Sequence, residues 1–133
     1  MPENDFEERK SLRIKYPLMV EYKIIKGGER EKISKPIDGQ VRDISLGGIC
    51  LQTNVLEMDG LHIYHNSNNP YQNLLEIDID LPFDYGNIKV IGKVAWYDLA
   101  KRRGRYQFDI GVVFLEIGEK DKENLIRFLN KEN

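Results

Sequence analysis

The chain has 133 residues, 41% apolar and 32% charged, which fits one globular domain with a single core and excludes a disordered or fibrous chain. A net charge of -2 excludes a global basic field that would gather nucleic acid from a distance, so any anion site must be local. The lone cysteine excludes an internal disulfide, and no apolar run reaches the roughly 18 residues of a membrane span.

The acidic opening, Met1 to Glu8, lacks the apolar core of a secretory leader, and the expected location is cytoplasmic. A basic segment follows, Arg9-Lys10-Ser11-Leu12-Arg13-Ile14-Lys15. Pro17 disfavours helix at Tyr16, so this arm ends extended or in a turn. Leu18 to Ile25 then predicts a strand with Leu18, Val20, Tyr22 and Ile24 on one face. Gly27-Gly28 breaks it, and a charged loop runs to Pro36. A strand from roughly Gly39 to Ile44 turns at Leu46-Gly47-Gly48 and is followed by another, Ile49 to Thr53. From Asn54 to Asn73 turn formers dominate, which predicts a long surface loop with room for one helical turn.

Periodicity returns at Leu74. Leu75, Ile77, Ile79 and Leu81 alternate with Glu76, Asp78 and Asp80, the pattern of a strand with one wet face. Ile88, Val90, Gly92, Val94 and Trp96 supply one face of the next strand. Lys101-Arg102-Arg103-Gly104-Arg105 forms a basic turn, and Tyr106, Phe108, Ile110, Val112 and Phe114 alternate as the last long strand. After Gly118 the period lengthens, with Leu125, Ile126, Phe128 and Leu129 on one face of a helix from Glu119 to about Lys131. The expected fold is mostly β, a small six-stranded antiparallel barrel with a C-terminal helix. It forms a single domain, 1–133, made of an arm (1–17), the barrel (18–117) and the helix (118–133).

Two stretches carry chemistry that a core does not need. Arg9 and Arg13 lie four apart and share a face, ~6 Å apart if helical and ~13 Å apart if extended. Asp43-Ile44-Ser45-Leu46-Gly47-Gly48 puts an acid, a hydroxyl and two glycines in one turn. Guanidinium forks match phosphate oxygens bidentately and stack flat on bases. A carboxylate accepts the N–H groups of guanine's Watson–Crick edge, and glycine lets a backbone approach a ligand closely. The two stretches suit a guanine nucleotide held between arm and turn. The plainer alternatives are a solvated basic arm and a turn that merely satisfies its own backbone. Lys10 and Trp96 are secondary candidates, and their plainer roles are a surface lysine and a core tryptophan.

Elsewhere the chemistry is thin. Cys50 sits in an apolar run and reads as a buried, inert thiol. His62 and His65 have no Cys, Asp or Glu cluster to complete a metal set, so no metal is expected. Ser45 has no nucleophile-elbow glycines and the chain has no phosphate-loop lysine motif, which points to binding rather than catalysis.

Arg9-x-x-x-Arg13 followed by Asp43-x-Ser45-x-x-Gly48 resembles the paired signature of the PilZ domain, the bacterial receptor module for cyclic di-GMP. Gly92-Lys93-Val94-Ala95-Trp96 and Gly111-Val112-Val113-Phe114 are similar to later strands of that family, so the likeness runs from about Glu8 to the C-terminal helix. It implies a split barrel, with Arg9 and Arg13 on phosphates and on the Hoogsteen edge or face of a guanine. It also implies Asp43 and Ser45 on a guanine edge, with Gly47 and Gly48 keeping the turn open. The chain would then be a second-messenger receptor that takes cyclic di-GMP and signals to an unidentified effector protein. Motility, pilus, biofilm or exopolysaccharide control are the settings the resemblance suggests. Glu8, next to Arg9, opposes a second stacked nucleotide, which favours one nucleotide per chain.

Two other functions fit the same residues. One keeps the barrel as a protein-interaction adaptor that binds no nucleotide. The other is a single-stranded nucleic-acid binder using Lys101 to Arg105 with Trp96 or Tyr97, which the near-zero net charge disfavours.

Overall fold

A computed structural model describes residues 17–66, 70–101 and 104–132 of the chain. Arg9, Lys10 and Arg13 lie outside the described residues. The elements are β1 (Leu18–Lys26), β2 (Glu29–Ile33), β3 (Ile37–Ile44), β4 (Gly48–Thr53), β5 (Glu57–Met58), β6 (Leu61–His62), β7 (Leu74–Asp80), β8 (Asn87–Leu99), β9 (Phe108–Ile117) and one helix, α1 (Glu119–Glu132).

Alternation decides which way each strand faces. β1 buries Leu18, Val20, Tyr22 and Ile24, and β7 buries Leu75, Ile77 and Ile79, while the residues between them turn outward. The strands pair in the order β1-β3-β4-β9-β8-β7, and β7 pairs back onto β1. The ring is therefore a closed six-stranded antiparallel barrel, and closure removes the exposed edges an open sheet would present. β2 folds back on β1 outside the ring, tied to β9 by the Arg30–Glu116 pair at 2.7 Å.

One side of the barrel is covered by α1, which buries Leu125, Phe128 and Leu129. The Phe128 ring meets Tyr85 edge-on at 5.5 Å between centroids. Asp121 in the first turn accepts the Lys89 backbone N–H at 3.1 Å, and Lys131 sits in the last turn, both favourable to the helix dipole.

Several expectations need correcting. The charged stretch after Gly28 is not all loop: Glu29–Ile33 pairs with β1 although most of it faces water, so hairpin geometry rather than burial makes it a strand. β3 starts at Ile37, two residues before the expected Gly39, because Ile37 pairs with Tyr22 and is buried. The region 54–73 shows no helical turn among the described residues; it carries the small hairpin β5–β6 instead. That region is also pinned rather than loose. Ile63 is fully buried, and Asn73 accepts the Gly27 N–H while donating to the carbonyls of His62 and His65, each at 2.9 Å.

Tyr22 supplies a second pin, with its hydroxyl 3.0 Å from the Thr53 hydroxyl and donating to the Val55 carbonyl at 2.7 Å. Burial pushes its pKa up to about 12, against a smaller opposing effect of the Thr53 hydrogen bond. Tyr106 falls outside β9, which begins at Phe108. Ile126, expected on the apolar face of the helix, is 36% exposed, since one residue after Leu125 turns about 100° away from it.

Truncating Phe128→Ala should lower unfolding stability by about 3–5 kcal/mol, and Ile126→Ala by under about 0.5 kcal/mol, in urea denaturation. Equal losses at the two positions would contradict this packing of α1.

Candidate functional site

Register builds the site. Asp43 of β3 stands opposite Cys50 of β4, Cys50 opposite Gly111 of β9, and Gly111 opposite Trp96 of β8. A single rung across four neighbouring strands thus joins an acid at one end to an indole at the other. A bulge sits beside each end. Pairing steps from Val41↔Leu51 to Asp43↔Cys50, which leaves Arg42 as the extra residue on β3. It steps from Val94↔Val112 to Trp96↔Gly111, which leaves Ala95 as the extra residue on β8.

An extra residue shifts the in–out alternation by one. Trp96 was expected to share the inward face of Ile88, Val90, Gly92 and Val94; past the bulge it points outward and is 49% exposed. The indole lies over Gly111, where any Cβ would overlap the ring. Gly111 is therefore the floor on which the tryptophan rests.

The Ser45–Gly48 turn closes the other side. The Ser45 N–H donates to the Gly48 carbonyl at 2.9 Å, and the Ser45 hydroxyl accepts the Gly47 N–H at 3.3 Å. The Gly47 carbonyl accepts from the Phe114 N–H at 2.9 Å, which ties the turn to β9. The self-bonded turn and the presented hydroxyl are the same object. The two glycines have different reasons. A Cβ on Gly47 would meet open space, whereas one on Gly48 would run into the Val112 carbonyl oxygen. Gly48 is thus required by strand packing.

Asp43, Ser45, Gly47, Gly48, Cys50 and Trp96 all line one cleft of about 210 Å³. A second cleft of about 350 Å³ adjoins it, with Leu99 and Lys101 on its walls. Arg42 and Trp96 belong to both.

The electrostatics centre on Arg42. Its Nε donates to Asp43 Oδ2 at 3.1 Å and its Nη1 to Asp109 Oδ2 at 3.2 Å. Asp109 also accepts from Gln52 Nε2 at 2.9 Å through its other oxygen. Both carboxylates are buried, and the guanidinium is half exposed. Burial would lower the Arg42 pKa, but the Asp43 hydrogen bond and the negative charges around it carry the pKa above its usual value. Burial pushes the Cys50 thiol up to about 11; Arg42 pulls it down, and Asp109 and Asp43 push it up further.

Of the residues expected at the site, Asp43, Ser45, Gly47 and Gly48 come together, and Trp96 joins them. Arg9, Lys10 and Arg13 lie outside the described residues. Sequence reasoning missed Arg42, Asp109 and Gly111. Two signals for them exist: an acid, Asp109, interrupting a strand's apolar run, and a mid-strand glycine, Gly111, which often marks close approach.

His62 and His65 form a separate aromatic group with Tyr64 and Tyr97. The His62 Nδ1 accepts the N–H groups of Tyr64 and His65 at 3.0 and 3.1 Å, a loop-holding role. No group of three or more metal-ligating side chains occurs among the described residues. No helix of the described residues is long and apolar enough to cross a membrane.

The PilZ domain family model matches residues 7–131. Among solved structures, the fold is similar to the inhibitor of motility MotI/DgrA of Bacillus subtilis. The TM-score is 0.58 at 20% identity, over 90% of this chain and 48% of that one, so the chain spans about half the length of that protein. It is also similar to the PilZ domain of YcgR from Escherichia coli, solved with c-di-GMP, with a TM-score of 0.57 at 14% identity over 90% of this chain and 86% of that one. The PilZ domain of CeSA from a cellulose-synthesizing bacterium gives a TM-score of 0.51 at 15% identity, over 90% and 96% of the two chains. Likeness at these identities concerns the fold alone. No curated protein sequence matches significantly.

Replacing Gly111 by Ala should cost about 1–3 kcal/mol and lift the indole into water, read as a red shift in the emission of Trp96, the sole tryptophan. Unchanged emission and stability would show that the ring does not rest there. Cys50 should resist alkylation at pH 8 in the native protein and react only as pH nears its raised pKa of about 11. Rapid native labelling at pH 8 would contradict that burial.

Proposed function

This chain belongs to the PilZ domain family, and we propose that it is a cyclic di-GMP receptor that passes the nucleotide signal to a partner protein. One observation carries the proposal: the rung from Asp43 to Trp96 faces a single cleft beside the point where the chain enters the barrel. Leu18 pairs with Val41, two residues from Asp43. Arg13 lies five residues before Leu18, a stretch that reaches at most ~18 Å. The arm that carries Arg9 and Arg13 therefore starts next to the cleft and not across the barrel from it.

In this proposal the Asp43 carboxylate accepts the N1–H and N2–H of a guanine, and the Ser45 hydroxyl bonds the same base. Gly47 leaves room for the backbone to approach. The exposed indole of Trp96 offers a stacking face, worth ~1–3 kcal/mol per base. Arg9 and Arg13 grip phosphates and the Hoogsteen edge or face of a guanine, each charge-assisted bond contributing ~1.5–3 kcal/mol. One nucleotide binds per chain. Leu99 and Val113, exposed on the walls of the two clefts, give an effector apolar surface whose outline changes when nucleotide fills the first cleft.

Calorimetric titration of the purified protein with cyclic di-GMP should give micromolar or tighter binding at one nucleotide per chain. Arg9→Ala, Arg13→Ala and Asp43→Ala should each weaken it by about ten- to a hundredfold. No binding by the wild-type protein would overturn the proposal and favour an adaptor that works without nucleotide.

A further inference from the structure

We propose that Arg42 is a positioning residue that sets which purine the cleft accepts, by bracing the Asp43 carboxylate against Asp109. The proposal rests on the receptor function above and adds to it a residue outside the family signature.

The geometry is that of a strut. Asp109 is buried and held through both oxygens, one by Gln52 Nε2 at 2.9 Å and the other by Arg42 Nη1 at 3.2 Å. Arg42 is planar, so fixing Nη1 on Asp109 also fixes the direction in which Nε points. Nε points at Asp43 Oδ2, 3.1 Å away. The second torsion of an aspartate is broad, so a donor that reaches one oxygen from a fixed direction narrows the planes the carboxylate can take. Accepting both the N1–H and the N2–H of a guanine requires the carboxylate to lie in the plane of the base. In the receptor function proposed above, that plane is supplied by stacking on Trp96, which stands at the other end of the rung.

Arg42 is able to reach Asp109 because it is the bulged residue of β3. It is the extra member of its strand, it has no partner across the ladder, and its side chain leaves over the outer face of β4 towards β9. A lysine there would keep the charge and lose the fork, since an ammonium is a point donor with no fixed plane.

The test compares two nucleotides that differ only at the group a misaligned carboxylate would miss. Cyclic di-GMP carries the exocyclic 2-amino group on each base; cyclic di-inosine monophosphate lacks it. Wild-type protein should prefer cyclic di-GMP. Arg42→Met should lose about tenfold in affinity for cyclic di-GMP and far less for the inosine analogue, so that the preference narrows. Asp109→Asn should narrow it in the same sense with Arg42 still present. Arg42→Lys keeps the charge beside both carboxylates and should fail to restore the preference; it carries the test if Arg42→Met does not fold.

Equal losses for both nucleotides would make Arg42 a general electrostatic or structural residue and overturn the proposal, as would an unchanged preference in Arg42→Met and Arg42→Lys. Wild-type protein that binds both nucleotides equally would overturn it too. Wild-type protein that binds neither would bring down the receptor function itself, a different result.

Discussion

Two extra residues, Arg42 on β3 and Ala95 on β8, fix the relation between Asp43 and Trp96, and the candidate site depends on that relation. In a regular barrel wall, residues two apart on a strand share a face, and Trp96 would follow Val94 into the core. A bulge breaks this rule locally and adds the bend and twist that help a small sheet close. Closure of the barrel and the layout of the candidate site therefore draw on the same irregularity. Taking Ala95 out would do more than loosen the sheet, because it would return the indole to the interior.

Small residues complete the arrangement. Gly111 yields its side-chain space to the indole, and Gly48 yields its own to the Val112 carbonyl, so β4 and β9 pair closely where the Ser45–Gly48 turn ends. The charges are handled locally, as a chain of net charge -2 requires. Two buried carboxylates, Asp43 and Asp109, share one guanidinium whose outer half stays wet. A buried carboxylate stripped of its partners costs far more than a surface ion pair returns, so this cluster holds its geometry more firmly than the exposed Arg30–Glu116 bridge.

The barrel was legible in the sequence wherever one face of a strand is dry. β1, β7 and most of β8 alternate as their burial requires, and the change of period after Gly118 announced the helix. Legibility failed where something other than burial decides. β2 is nearly all charged and exists because a hairpin holds it against β1, and Ile63 is buried inside a stretch whose turn-forming composition suggested surface. That Asp43, Ser45 and Gly47 of the candidate site lie together was legible from spacing, since one tight turn must bring them together. Trp96, across the rung from Asp43, was legible only as a secondary candidate, with a place in the core as its plainer role. Nothing in Val94-Ala95-Trp96 marks Ala95 as an insertion, and Arg42 looks like any outward-facing strand residue until β4 is laid beside it.

One cleft, served from both ends of one rung, is the centre of the proposed receptor. A titration of isotope-labelled protein with cyclic di-GMP, followed by amide and indole N–H chemical shifts, tests it most directly. Saturable shifts should appear together at Gly47, Gly48, Gly111 and the Trp96 indole, with the β1–β7 side of the barrel, around Glu21 and Asp78, left still. Shifts confined to that side, or a Trp96 indole signal unmoved at saturation, would contradict it.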